Sequence, residues 1–253
     1  MKTYVLGDLH GNLKALKQCF ERSKFDFEND KLIVLGDIVD GYPQSKECVE
    51  ELMKIKNLVY IIGNHDFWMM EWMRTGAQPH IWTSQGGLAT LTSYYYTVNE
   101  AHRKFFNSGV YFYIDENRLF VHGGLNLYES FENQVNDELM WDRSLIEYAY
   151  NCHNTKSCDI PKKLQIFKEI YVGHTTTEMY NTLLPLHLCN VWMLDTGAGF
   201  DGKLTIMNID TKEYWQSDLG SELYGANQGR ETIKKVELMT DEEILNASKY
   251  FIF

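Results

Sequence analysis

Three short apolar runs near the start of the chain constrain its fold most strongly, because each of them ends in glycine and a polar residue. The runs are Thr3–Leu6, Lys31–Leu35 and Leu58–Ile62, and the segments between them, Asn12–Ser23 and Ser45–Ile55, have the apolar spacing of helices. Near-continuous apolar runs are typical of strands buried on both faces. Strand and helix in alternation predict a parallel sheet, so the sequence indicates an α/β fold.

The polar residues that follow these strands are candidate site residues. The strand ends read Gly7-Asp8-Leu9-His10-Gly11, Gly36-Asp37-Ile38-Val39-Asp40-Gly41 and Gly63-Asn64-His65-Asp66. Two later predicted strands, Leu119–Val121 and Ile170–Val172, lead into His122 and into Gly173-His174. Because the carboxyl ends of parallel strands meet at one edge of a sheet, we expect these side chains to lie close together.

The residue types at these strand ends indicate a metal site. Carboxylates, imidazoles and one amide carbonyl form a mixed set of nitrogen and oxygen donors, which suits Mn²⁺, Fe²⁺ or Zn²⁺ better than Ca²⁺ or Mg²⁺. Two such ions, about 3.5–4 Å apart, can clamp the attacking and leaving oxygens of a phosphoester. A single aspartate here could instead cap a helix, and a single histidine could be a buried core residue. Five such motifs, each after a strand, favour a shared site.

In their order along the chain, the five motifs resemble the metal and catalytic blocks of the phosphoprotein phosphatase (calcineurin-like metallophosphoesterase) superfamily, in its bacterial and phage-type serine/threonine phosphatase branch. They span residues 7–174, and the later stretch Asp195–Gly199 also resembles that branch. The resemblance implies the metallophosphatase fold, a central β-sandwich flanked by helices in four layers, α/β/β/α. We expect a single domain over residues 1–253, with a mostly helical, aromatic-rich insertion at about 67–107.

The resemblance also implies a role for each matching residue. Two divalent metal ions are expected, with Mn²⁺ as the first choice and Fe or Zn as alternatives. The first ion would be held by Asp8, His10 and Asp37, and the second by Asp37 as a bridge together with Asn64, His122 and His174. His65 would protonate the leaving oxygen, oriented by Asp40. A hydroxide bound by both metals would attack phosphorus directly, with no phosphoenzyme.

Two arginines that grip the substrate phosphate in this family are missing here. The position after Asp40 is Gly41, and the position before Gly63 is Ile62. Arg143, in the stretch Met140–Arg143, matches a phosphate-binding arginine of the bacterial branch, and its alternative role is that of an exposed helix residue.

The resemblance implies hydrolysis of phosphomonoesters, including phosphoserine or phosphothreonine in protein, so that the partner is a phosphorylated protein or a small phosphoester. The first alternative is a symmetrical dinucleoside polyphosphate hydrolase. Those relatives carry an aspartate as at Asp66, but they lack the aspartate found here as Asp40. The second alternative is a non-catalytic binding module on a phosphatase scaffold, which the glycine at position 41 would fit.

Composition excludes some classes of partner. The formal net charge of −11 disfavours binding to a nucleic acid backbone, which requires lysines and arginines to displace counterions. No run is long and apolar enough to span a membrane. Five cysteines, an odd number, and the absence of a signal peptide predict a cytoplasmic protein with free thiols. Cys152, His153 and Cys158 lie close together but lack a second ligand pair for zinc.

The segment after Asp66 is rich in aromatic residues and methionines. Trp68 and Trp72 have the i,i+4 spacing of neighbours on one helix face. Such a helix either packs into the core or forms a lid over the metal site, and the sequence leaves both alternatives open. A capping box at Thr240 predicts a short helix near the end of the chain.

Overall fold

The structure is a computed structural model that describes residues 1–155, 162–226 and 228–230. The predicted helix at Thr240 and the cysteine at position 158 lie outside the described residues. The other cysteines, Cys19, Cys48, Cys152 and Cys189, are free thiols. Within the described ranges, no helix combines the length and the apolar character needed to cross a membrane. The cytoplasmic location stays a prediction.

The described residues form two five-stranded sheets. The strands are β1 Thr3–Leu6, β2 Lys31–Val34, β3 Asn57–Tyr60, β4 Phe112–Asp115, β5 Arg118–Val121, β6 Glu169–Val172, β7 Leu186–Leu188, β8 Val191–Met193, β9 Thr205–Asn208 and β10 Tyr214–Gln216. The first sheet has the order β10-β9-β1-β2-β3, with β1, β2 and β3 parallel as predicted. The second has the order β4-β5-β6-β8-β7, with β5, β6 and β8 parallel.

Of the helices in the described residues, the two that were predicted begin within one residue of the expected start, and the second ends at Leu52 rather than at Ile55. The helices are α1 Leu13–Ser23, α2 Ser45–Leu52, α3 Asn64–Thr75, α4 His80–Trp82, α5 Leu88–Ser93, α6 Glu100–Asn107, α7 Asn136–Trp141, α8 Ser144–Asn154 and α9 Gly220–Tyr224. The backbone between α4 and α5 is kinked at Gln85 and Gly86, where Gly86 has a φ of 104°, and 3-10 turns cover Phe131–Asn133, Lys162–Leu164 and Thr177–Tyr180. Asn12 caps α1 as predicted, because its side chain accepts a hydrogen bond from the Ala15 N–H. The region 67–107 is mostly helical, whereas its description as an insertion stays a prediction.

Alternating side chains along the strands build the four layers. On β1, Val5 faces an inner cluster shared with the second sheet, whereas Tyr4 and Leu6 belong to an outer cluster with α1 and α2. On β5, Phe120 joins the inner cluster, and its neighbours on the strand pack with α7 and α8. Because side chains on a strand point alternately to opposite faces, both sheets are covered on both sides. The predicted α/β/β/α sandwich is therefore confirmed.

Candidate metal centre and active site

The loops after β1, β2, β3, β5 and β6 converge at one edge of the sandwich, and Asp37 lies at their centre. Its Oδ2 is 3.6 Å from Nε2 of His10 and 3.4 Å from Nε2 of His122. Two groups of potential ligands share Asp37, one with His10 and His65 and the other with His122 and His174. In each group, one ligand atom per residue lies within 4.8 Å of the others. Asp37 thus lies between two sets of imidazoles, which is where a bridging carboxylate has to be.

Asp8, Asn64 and His174 lie beside this centre. The His174 N–H donates to Oδ2 of Asp8 at 2.9 Å, and Oδ1 of Asn64 lies 3.1 Å from Nε2 of His122. Among the described residues, Asp8 belongs to neither group of potential ligands. His65 lies beside His10 and Asp37, where Asp8 was predicted. All six predicted metal ligands therefore lie in one region, and their division between two ions stays a prediction.

Two polar atoms in this region lack a protein partner. Oδ1 of Asp8 and Nε2 of His174 are buried and have no hydrogen-bond partner among the residues that the structure describes. Buried polar atoms are rarely left in this state without a water or an ion to pair them. A carboxylate oxygen and an imidazole nitrogen are both ligand atoms for divalent cations, so these residues fit a metal site.

The buried carboxylates call for positive charge. Burial and the nearby carboxylates of Asp195 and Asp37 raise the pKa of Asp8 well above its usual range, against the effect of His122. Burial acts in the same direction on Asp37, but His122 and His65 outweigh it and hold the pKa of Asp37 well below its usual range. Burial would lower the pKa of His122, yet Asp37 raises it to about 10. A proton on His122 or a metal ion can balance the charge of Asp37.

Backbone carbonyls fix the orientation of two imidazoles. Nδ1 of His10 lies 2.8 Å from the Asp40 carbonyl oxygen, and Nδ1 of His122 lies 2.7 Å from the Leu35 carbonyl oxygen. Because a carbonyl oxygen only accepts, each Nδ1 carries a proton. Nε2 is therefore the nitrogen turned toward Asp37, as in metal-binding histidines whose other nitrogen is held by an acceptor.

Unusual backbone conformations place these side chains at the strand ends. Positive φ angles occur at His10 (50°), Asp37 (49°), Asp40 (71°) and His174 (61°). This left-handed region costs a non-glycine residue about 1–2 kcal/mol, and such strain concentrates at functional sites. A Cβ on Gly63 would lie 2.1 Å from Oδ1 of Asp37, so only glycine admits that carboxylate.

His65 and Asp40 form a buried pair next to Asp37. Nδ1 of His65 lies 2.8 Å from Oδ2 of Asp40. The carboxylate also accepts hydrogen bonds from the Trp82 indole N–H at 2.7 Å and from the Thr90 hydroxyl at 2.7 Å. Burial raises the pKa of Asp40 to about 8, although Thr90 and Trp82 oppose this, and lowers the pKa of His65 to about 3. Burial therefore disfavours two separated charges within this pair.

Asp66 supports the loops rather than facing the centre. Its carboxylate accepts hydrogen bonds from the Ile38 N–H at 2.9 Å and the Gly63 N–H at 3.1 Å. Burial and the charge of Asp37 raise its pKa to about 7. Asp66 thus ties the loop after β2 to the start of α3.

An aromatic cleft opens beside the two groups of imidazoles. The Trp68 ring meets the His65 ring edge to face at 4.9 Å, and the Trp141 ring meets the His174 ring at 5.6 Å. The two indoles lie 5.4 Å apart. They line a cleft of about 540 Å³ together with Phe67, Asp137, Glu138 and Asp142. We call this space the tryptophan cleft.

Helix α3 combines the two roles that the sequence left open. Met69 and Trp72 are buried in the core of the first sheet, whereas Phe67 and Trp68 are partly exposed and line the tryptophan cleft. One face of the helix is therefore core, and the other is a wall of the site.

The profile of the calcineurin-like phosphoesterases matches residues 1–178, the part of the chain that carries all five strand-end motifs. The chain belongs to the calcineurin-like phosphoesterase family. This family of metallophosphoesterases consists of hydrolases with a divalent metal centre, and the membership expected from the motifs is confirmed.

Relatives within this family differ in substrate. A symmetrical bis(5'-nucleosyl)-tetraphosphatase of Pseudomonas fluorescens is 39% identical over 71 residues, which are 28% of this chain and 25% of that protein. The match therefore spans only about a quarter of the curated relative's length. It leaves the substrate of this calcineurin-like phosphoesterase open.

Solved structures share the fold at low identity. One, whose assignment as a diadenosine tetraphosphatase is provisional, has a TM-score of 0.63 and 16% identity over 85% of this chain and 92% of its own. A protein serine/threonine phosphatase from Saccharomyces cerevisiae has a TM-score of 0.53 and 15% identity, over 86% of this chain and 80% of its own. These likenesses show the fold alone.

Arg143, the predicted phosphate-binding residue, lies exposed at the N-terminal end of α8. Burial is the main reason why the pKa of His174 is lowered, followed by the charges of His122 and Arg143. The charge of Arg143 therefore acts on His174, in the second group of imidazoles of this calcineurin-like phosphoesterase. Its contact with phosphate stays a prediction.

Sequence reasoning missed several residues around this family's metal centre. Trp82 and Thr90 hold Asp40, and Arg230 lies 3.3 Å from His10, measured from Nη1 to Nε2. Trp82 lies in the aromatic-rich segment, but no local pattern links it to an aspartate 42 residues away. Arg230 stands outside every motif.

Proposed function

We propose that this protein is a metal-dependent phosphatase that hydrolyses phosphomonoesters, including phosphoserine and phosphothreonine in proteins. The observation that carries the proposal is the buried pair of His65 and Asp40, placed next to Asp37. A histidine held by a carboxylate is a proton donor suited to the leaving oxygen of an ester.

The residues present fit a centre of two divalent ions. Asp8, His10 and Asp37 would hold one ion, and Asp37, Asn64, His122 and His174 would hold the other. When bound, the ions lower the pKa of a water and neutralise the charge of the phosphoryl group. The mixed donors favour Mn²⁺, Fe²⁺ or Zn²⁺, and we propose Mn²⁺ first.

The chain's own residues supply positioning and a proton. In the hydrolysis, the oxygen of water adds to phosphorus, the bond from phosphorus to the leaving oxygen breaks, and that oxygen takes a proton from His65. Asp40 holds the ring of His65 at Nδ1, which leaves Nε2 as the nitrogen for the substrate. Trp82 and Thr90 in turn hold Asp40, so the pair is preorganised before substrate arrives.

Symmetrical dinucleoside polyphosphate hydrolysis is the second candidate. The 71-residue match to a symmetrical tetraphosphatase supports it. So does the tryptophan cleft, because the exposed faces of indole rings stack well on nucleobases. Three acidic side chains in that cleft, those of Asp137, Glu138 and Asp142, disfavour a polyphosphate there but accept hydrogen bonds from a base.

The experiment is a comparison of substrates with one Mn²⁺-loaded preparation of the full chain. The kcat/KM values for a phosphoserine peptide, p-nitrophenyl phosphate and diadenosine tetraphosphate are measured side by side, with Asp37→Asn as the control for contaminating phosphatases. The proposal expects turnover of both monoesters by the wild-type protein alone. Preference for diadenosine tetraphosphate by tenfold or more would select the second candidate. Metal binding without turnover of any of the three would support a non-catalytic binding module and reject the proposal.

A further inference from the structure

Arg230 reaches the metal centre from the far end of the described chain. Its backbone N–H donates to the Gly199 carbonyl oxygen at 2.8 Å. The backbone at Gly199 is packed so closely on His10 that an added Cβ would lie 2.4 Å from Cδ2 of that ring. Gly229 has a φ of 85° and lies against Tyr42, where a Cβ would be 2.7 Å from the tyrosine ring. The main chain before Arg230 is therefore anchored on two sides, which aims its side chain at His10.

The guanidinium has three neighbours around the site. Nη1 lies 3.3 Å from Nε2 of His10, and Nη2 donates to Oε1 of Gln85 at 3.2 Å. Cζ lies 4.8 Å from the centre of the Phe200 ring, in a cation–π contact. None of the ion pairs found among the described residues involves Arg230, and its charge acts only at longer range on the carboxylates of Asp40 and Asp195.

The loop at Gly41 makes room for this side chain. Gly41 has a φ of 122°, and a Cβ there would lie 3.1 Å from Cγ of Arg230. Any side chain at position 41 would therefore meet both backbone strain and the stem of Arg230. Gly41 stands where the family carries an arginine, and its lack of a side chain leaves space for Arg230.

The position of Arg230 calls for an anion. Divalent ions bound at His10 and its neighbours would repel the fixed positive charge of Arg230 unless a negative group lay between them. The planar guanidinium fork matches two oxygens of a phosphoryl group, whereas a single imidazole nitrogen uses only one of its donors.

We propose that Arg230 binds the oxygens of the substrate's phosphoryl group, and of the phosphate product, beside the metal ion held at His10. This inference rests on the proposed function, since it names a further residue that binds the substrate of that reaction. Gln85 and Phe200 position the guanidinium.

The test measures binding of inorganic phosphate to the Mn²⁺-loaded full chain by calorimetry, without turnover. Wild type is compared with Arg230→Ala, with Arg230→Lys, and with Arg74→Ala, an exposed arginine paired with Glu71 at the end of α3, as the matched control. Metal content and thermal melts are recorded for every variant. We expect Arg230→Ala to weaken phosphate binding about tenfold or more, the worth of one charge-assisted contact. Arg230→Lys should lose less, because it keeps the charge but not the fork, and Arg74→Ala should bind as wild type.

Unchanged phosphate affinity in folded Arg230→Ala and Arg230→Lys proteins with wild-type metal content would overturn the inference. Tighter Mn²⁺ binding by Arg230→Ala, with phosphate affinity unchanged, would also overturn it and make Arg230 a competitor for the lone pair of His10. The proposed function fails separately: a wild-type protein that binds phosphate through Arg230 but hydrolyses no phosphoester would reject the function and keep the anion site.

Discussion

Nδ1 of His65 and Oδ2 of Asp40 lie 2.8 Å apart, and both side chains are almost completely buried. The other donors to the carboxylate, Trp82 and Thr90, come from the helical region between α3 and α6, so a distant segment holds this pair in place. Because the imidazole cannot turn without breaking its bond to Asp40, its other ring nitrogen stays turned away from Asp40. The proposed role of His65 as a proton donor rests on this relationship and can be tested directly.

We predict that His65→Asn lowers kcat by roughly 10²–10⁴-fold for alkyl phosphate esters, the range of general acid catalysis. The loss should shrink for p-nitrophenyl phosphate, because nitrophenolate leaves without a proton. Steady-state kinetics on both substrates measure this difference. His102→Asn is the matched control, since His102 is buried and bonded to Tyr94 away from the metal centre. Equal losses on good and poor leaving groups would mean that His65 serves another purpose, such as binding metal with His10 and Asp37.

Because Asp37 lies between the two groups of imidazoles, its substitution should reduce the number of metal ions bound per chain. Asp37→Asn keeps the shape of the side chain, and asparagine tolerates the left-handed backbone at φ 49°. It removes the charge that a bridging ligand needs, so we expect fewer than two ions per chain and no detectable turnover. Elemental analysis after dialysis against Mn²⁺ gives the count. Asp26→Asn, in an exposed turn, should retain the wild-type count. Two retained ions with normal turnover in Asp37→Asn would disprove the bridging role.

The tryptophan cleft predicts a dependence on the leaving group. Trp141→Ala removes one wall, and the stacking lost is worth about 1–3 kcal/mol per base, which corresponds to a rise in KM of about fivefold or more for diadenosine tetraphosphate. A phosphoserine peptide without aromatic residues should be affected little. The ratio of the two KM values, measured in wild type and variant, is the readout. Tyr95→Ala, on a side chain that is 84% exposed, serves as control. A uniform change for both substrates would show that the cleft does not receive the leaving group.

A polar cluster at the start of β5 and β6 predicts a dependence of stability on pH. Oε2 of Glu169 lies 2.9 Å from Nε of Arg118, and its Oε1 lies 2.6 Å from Nζ of Lys212. Burial opposes ionisation, but the hydrogen bonds from Lys212 and Arg118 prevail and lower the pKa of Glu169. Because the folded pKa lies below the unfolded value of about 4.3, the ionised group stabilises the fold above that pH, and the contribution is lost as the pH falls through the folded pKa.

Glu169→Gln should therefore lower the free energy of unfolding by about 1 kcal/mol at pH 7, a modest value because solvent partly screens the pair. The difference from wild type should shrink as the pH falls below about 4. Urea unfolding at a series of pH values measures it, with the exposed Glu213→Gln as the control. A difference that stays constant from pH 7 to pH 4 and below would show that packing, and not charge, makes the contribution.

Local patterns in the sequence predicted the parallel strands and the candidate members of the site, and the family resemblance predicted the four-layer fold. The apolar runs of β1 and β2 match their burial on both faces, whereas β3, at the edge of the sheet, is only partly buried. The glycines after these strands mark where the backbone turns at one edge of the sheet. Asp8 and Asp37 come together because β1 and β2 are neighbouring parallel strands of the first sheet, whereas His122 follows β5 of the second sheet and reaches them only through the packing of the two sheets. Strands β7 and β10 have no clear apolar period, because each has only three residues and remains partly exposed.

Only the tertiary structure decided how these residues are partnered. It places Arg230 on His10 across 220 positions of sequence, and Trp82 on Asp40 across 42. It also groups His65, rather than Asp8, with His10 and Asp37, and divides α3 between core and cleft. Such contacts depend on how separate elements pack and on where loops without apolar periodicity come to lie. Periodicity determines which face of a strand or helix is buried, but it carries no information on which distant side chain lies opposite it.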